Sequence, residues 1–94
     1  MHERALMKDL VRKVEDVARA EGAARVTRVE VRFGALSHLT PEHFREHFED
    51  ATRGTVADGA EVDAALDESL AGERAAGVVL LSVEVESRAT VEAT

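Results

Sequence analysis

The 94-residue sequence contains no cysteine, tryptophan or tyrosine, a single proline, and only three aromatic residues, all phenylalanine. Without cysteine there are no disulfides and no Cys-ligated zinc. No apolar run approaches the roughly 20 residues of a membrane span. Glu3 and Asp9 interrupt the first residues and no small-residue cleavage site follows, unlike a secretory signal. Positive charge is outnumbered, with 12 Lys and Arg against 19 Asp and Glu. The formal net charge is −7, which opposes nucleic-acid and anionic-membrane partners. A cytoplasmic protein is expected. Hydrophobic residues make up 45% of the chain, but many are alanine, so the core must be thin and built from Val and Leu. A chain this small makes one domain, and a partner or a homodimer would add burial.

What is present divides into short periodic segments. Residues 4–21 read as an amphipathic helix: Met7, Leu10, Val14 and Val17 recur at helical spacing, widened by Leu6, Val11 and Ala18, and Gly22 stops it. Residues 25–33 alternate, with Val29, Val31 and Phe33 on one face and Arg28, Glu30 and Arg32 on the other, as in a half-buried strand. The mixed signs on the charged face favour a solvated surface over an anion-binding patch. A connection over residues 34–39 leads to a second helix. Thr40 is placed to cap it, Pro41 fits its first position, and Glu42 favours its dipole. Phe44, Phe48 and Ala51 should form its buried edge, with Gly54 at its end. Residues 60–68 form a weak acidic strand suited to a sheet edge. Residues 69–77 read as a loop. Residues 78–86 are the strongest strand, and their nearly continuous apolar start predicts a central position. Residues 87–94 lack a pattern and are expected to fray.

The order helix, strand, helix, strand, strand predicts an α/β (α+β) fold: two layers, a three-stranded mixed sheet with both helices on one face. The middle strand-helix-strand unit fits a parallel crossover. The last two strands fit an antiparallel hairpin. The pattern leaves strand order open. Residues 1–86 form the single expected domain.

The chemistry concentrates at Met1-His2-Glu3. With Met1 read as the chain start, its α-amine, the His2 amide nitrogen and the His2 imidazole close two adjacent chelate rings in one plane. Such donors suit Ni(II) or Cu(II) better than zinc. At a helix start these amides have no intrahelical acceptor, so losing a proton to a metal breaks no helical bond. Glu3 would orient or neutralise the site. His38, in the connection before the second helix, is a candidate extra ligand. His43 and His47 share a helix face and, with Glu46, match the His-x-x-Glu-His pattern of inverted zinc proteases. The chain is too small to add a third ligand and a cleft, so two exposed helical histidines beside the Phe seam are the expected reading, with a weak surface metal site as the alternative. No nucleophile triad, phosphate loop or paired catalytic carboxylates emerge, so no enzyme is expected.

Met1-His2-Glu3 before a helix resembles the start of the HypA/HybF family of nickel metallochaperones. Arg25-Val26-Thr27-Arg28-Val29, Gly34-Ala35-Leu36-Ser37, Pro41-Glu42 with Phe48-Glu49, Ala51-Thr52-Arg53-Gly54-Thr55 and Leu80-Leu81-Ser82-Val83-Glu84-Val85 continue the resemblance in family order. It implies a mixed three-stranded sheet with two helices. It implies Ni(II) held by Met1 and His2 with Glu3 close by, and two partners in [NiFe]-hydrogenase maturation: a HypB-like GTPase and the hydrogenase large-subunit precursor. The family's zinc domain, with its paired Cys-x-x-Cys motifs, would stand between the last two strands. Only Ala71-Gly72-Glu73-Arg74-Ala75-Ala76 stands there, so no zinc is expected. Position 40, often acidic in the family, is Thr40. The alternative function is an interaction adaptor that works without metal.

Overall fold

The computed structural model describes the backbone of residues 2–87 and the side chains of residues 4–87. Expectations for Met1, for the side chains of His2 and Glu3, and for residues 88–94 lie outside the described residues. The elements are α1 (His2–Ala20), β1 (Ala23–Phe33), α2 (Pro41–Thr52), β2 (Glu61–Leu66) and β3 (Val78–Ser87). Short 3-10 turns occupy Ala35–Ser37 and Gly72–Ala76.

α1 buries Leu10, Val11, Val14 and Ala18. Val17, expected on this stripe, is 37% exposed. A helix advances 3.6 residues per turn, so the buried line drifts from Val14 to Ala18 rather than back to Val17. The helix ends where the Glu21 and Gly22 amides donate to the carbonyls of Val17 and Arg19. Gly22 has φ +62°, a left-handed conformation that glycine adopts without steric cost. Two residues then deliver the chain into β1, which returns along α1.

The strand order is β2-β1-β3, with β1 parallel to β2 and antiparallel to β3. This bears out the parallel strand-helix-strand unit and the edge position of β2. It corrects two expectations for β3: it is an edge strand, and its partner is β1, so it forms no hairpin with β2. The physical reason is a bulge. Val31 pairs with Leu80 and Glu30 with Ser82, leaving Leu81 as an extra residue, 52% exposed. An extra residue shifts the alternation by one. Val78 and Leu80 pack against the core before the shift, Val83 and Val85 after it. Two alternating phases joined in this way read as one continuous apolar run. A second irregularity at Thr27 lets both Val26 and Val29 face the core, and the Thr27 hydroxyl donates to the Glu84 carbonyl at 3.1 Å.

α1 packs on β1 and β3, while α2 packs on β2 and α1. Together they cover one sheet face, where Val26, Val29, Val31, Phe33 and Ala64 are buried. All three phenylalanines lie in this layer. Phe44 stacks between Phe33 and Phe48, with ring centroids 6.2 and 6.0 Å away. Ala51, expected in the seam, is exposed, and Thr52 is buried in its place. The Thr52 hydroxyl donates to the Phe48 carbonyl at 2.8 Å, which satisfies its only polar group. On the opposite sheet face Arg28 pairs with Asp63 at 2.8 Å and Arg32 with Glu30 at 3.0 Å. The interspersed charges form the solvated surface that the alternation predicted.

Candidate metal centre

The Thr40 hydroxyl accepts from the His43 amide at 3.1 Å, and Pro41 opens α2. This cap fixes the direction in which α2 leaves the connection, and with it the positions of His43 and His47.

α1 starts at His2, so the amides of His2 and Glu3 belong to its first turn, where N–H groups have no intrahelical acceptor. Because Glu21 and Gly22 alone join α1 to β1, the two run side by side in opposite directions. A 19-residue helix spans about 28 Å and an 11-residue strand about 36 Å. The start of α1 therefore lies at the end of the molecule where β1 finishes. His38 stands at this end too, closing the 3-10 turn that follows β1. It is exposed and adopts a left-handed backbone at φ +61°. Such a φ is uncommon outside glycine, although histidine tolerates it better than most residues. His38 makes no side-chain hydrogen bond among the described residues. The topology thus puts the start of α1 and His38 at one end of the fold, while Met1 and the side chains of His2 and Glu3 lie outside the described residues.

α2 borders the same region. His47 shares a groove with Arg4, Met7 and Lys8 from the first half of α1. The His43 and His47 rings face each other with centroids 4.8 Å apart, and both residues are exposed. Among the described residues no three His, Asp or Glu side chains stand together as a metal cluster.

One contributor escaped the sequence reading. Residues 69–77 read as a plain loop, yet together with residues 67–68 they wrap across the end of β1. The Asp67 amide donates to the Phe33 carbonyl at 2.9 Å and the Gly34 amide to the Gly77 carbonyl at 3.1 Å. Gly34 is buried beneath this segment, and a Cβ built there would run into the backbone of Ala75. Asp67 shapes the turn. Its carboxylate accepts from the Ser69 hydroxyl and amide at 2.6 and 2.9 Å, which hold its pKa below the ordinary 3.8, helped by the Arg32 charge. Asp-x-Ser is a turn signal that the sequence did carry.

Among the described residues no helix is long and apolar enough to cross a membrane. The family model for HypA, described as a hydrogenase/urease nickel incorporation metallochaperone, matches residues 1–76. The hydrogenase maturation factor HypA of Methylocella silvestris is 44% identical over 63 residues, 67% of this chain and 56% of that protein. That of Pyrococcus furiosus is 44% identical over 62 residues, 66% of this chain and 45% of that protein. The chain thus spans about half the length of the curated relatives it matches. The solution structure of the Ni metallochaperone HypA from Helicobacter pylori superposes with a TM-score of 0.74 at 17% identity, covering 92% of this chain and 98% of that one. This likeness is one of fold.

Proposed function

The chain belongs to the HypA family, and from that premise we propose that it captures Ni(II) through its first residues for [NiFe]-hydrogenase maturation. The Met1 α-amine, the His2 amide nitrogen and the His2 imidazole supply three donors in one plane, and the Glu3 amide or a side chain supplies the fourth. Glu3 offsets the metal's charge, and His38, at the same end of the fold, is the candidate for an extra ligand. The observation that carries this reading is the start of α1 at His2, which leaves these amides free of helical hydrogen bonds. All the nitrogen donors must lose or lack a proton, so binding weakens in acid. In this reading a HypB-like GTPase is the partner and the hydrogenase large-subunit precursor the recipient, both in the cytoplasm. The chain-start site takes no zinc in this reading, and the protein is a binding module rather than an enzyme.

Calorimetry on protein with a native Met1 amine tests it. His2→Ala, or one residue added before Met1, should abolish tight Ni(II) binding while the far-UV circular dichroism stays unchanged. Unaltered affinity in either variant would sink the site. Capture of maturation proteins with and without Ni(II) separates this reading from a metal-independent adaptor, whose partner binding would ignore the metal.

A further inference from the structure

We propose that His43 and His47 form a second metal site, separate from the chain start, for a borderline divalent cation of the Ni(II), Cu(II) or Zn(II) class. They stand four residues apart on α2, one helical turn, and so project from one face. Their rings lie with centroids 4.8 Å apart, tilted by 54°. An ion about 2.1 Å from an imidazole nitrogen stands about 3.2 Å from that ring's centroid. Two rings at the observed separation then subtend about 97° at the ion, close to the angle between adjacent ligands in planar and octahedral sites. The spacing of the two rings therefore matches a shared ion.

The surroundings agree with an open site. Both residues are exposed, so an ion can reach them directly from solvent. The Thr40 cap and the buried Phe44 and Phe48 hold the intervening turn rigid, which lowers the entropy lost on chelation. In the groove beside His47, Arg4 and Lys8 oppose a cation while Asp50, three residues further along α2, favours one. Asp50 is held by Arg53 at 2.8 Å in an exposed pair, a weak competitor. Two ligands leave the remaining positions to water or to donors of another protein. Such a site holds an ion briefly and passes it on.

Zn(II) is the discriminating probe, because it does not favour the planar amide-nitrogen set of the chain start. The protein is used with one residue added before Met1, and Zn(II) is titrated by calorimetry and by NMR of the imidazole protons. One Zn(II) should bind per chain, moving the His43 and His47 resonances together. Removing a supporting group around a metal typically costs about 10–100-fold in affinity, so His43→Ala and His47→Ala should each lose at least that. His38→Ala should lose nothing. Affinity unchanged in either α2 variant, or resonances of only one ring moving, would overturn the site. The Ni(II) test reads the loss of tight binding when the unextended protein is altered at His2 or before Met1, whereas the Zn(II) test reads the α2 variants within the extended protein, so failure of one site is distinguishable from failure of the other.

Discussion

Gly34→Ala separates two effects of glycine that act in opposite directions. Gly34 has φ −81° and ψ 163°, an extended conformation open to any residue. On backbone grounds alone, alanine there would restrict the unfolded chain and stabilise the protein by about 0.4–1 kcal/mol. The structure predicts the opposite sign, because the new Cβ would run into the backbone of Ala75, which has no flexible end to swing away. Relief requires the Gly72–Ala76 turn to lift. That strains or breaks the bond from the Gly34 amide to the Gly77 carbonyl, worth about 1 kcal/mol. Overpacking adds about 1–3 kcal/mol. A net loss of roughly 1–3 kcal/mol should lower the thermal midpoint by about 4–8 °C per kcal/mol in a domain of this size. Urea and thermal unfolding followed by far-UV circular dichroism measure it, since no Trp or Tyr reports on folding. Gly22→Ala is the internal contrast. Open space surrounds Gly22, but its φ of +62° should cost about 1–2 kcal/mol. A Gly34→Ala protein as stable as the parent, or more stable, would refute the close packing of residues 67–77 on the β1–α2 connection.

Two further outcomes follow from the same structure. Phe44→Ala removes a fully buried ring stacked between Phe33 and Phe48, at an expected cost of about 3–5 kcal/mol. Total stability for a chain of this length is only about 5–14 kcal/mol, so the thermal midpoint should fall steeply, and a loss below about 1.5 kcal/mol would contradict the packing. Asp67 has a folded pKa lowered by its bonds from Ser69, so its contribution is present above the ordinary 3.8 and is lost as pH falls through the lower folded value. NMR titration of the Ser69 amide should give a midpoint below 3.8, returning toward it in Ser69→Ala; a parent midpoint at or above 3.8 would refute the turn.

Local signals carried most of the fold. Thr40-Pro41-Glu42 announced α2, and the cap is in place. The alternation of Val29, Val31 and Phe33 gave β1 its buried face. Strand order was hidden because periodicity reports on faces, not neighbours. The Leu81 bulge further disguised an edge strand as a central one. Ala51 and Thr52 show a subtler limit: a small apolar residue and a polar one competed for the last buried position of α2. The helix itself decided, because the carbonyl four residues back satisfies the threonine hydroxyl. The chain-start chemistry rests on residue types and on where α1 begins. The pairing of the His43 and His47 rings was legible as a spacing but not as a distance. The cover over Gly34 was not legible at all, because it joins residues some 40 apart in the sequence.

That cover lies at the end of the fold where α1 begins. β2 and β3 flank β1 on opposite sides, so the chain between them must cross one end of β1. The crossing spans two strand spacings, about 10 Å, and residues 67–77 make it with one 3-10 turn. It passes over Phe33 and Gly34, the end where α1 begins and His38 stands. Anything inserted between β2 and β3 in a protein of this topology would therefore emerge beside the start of α1. In this chain the crossing holds no cysteine and closes tightly on the β1–α2 connection. It walls the end where α1 begins, and it offers no thiolate there.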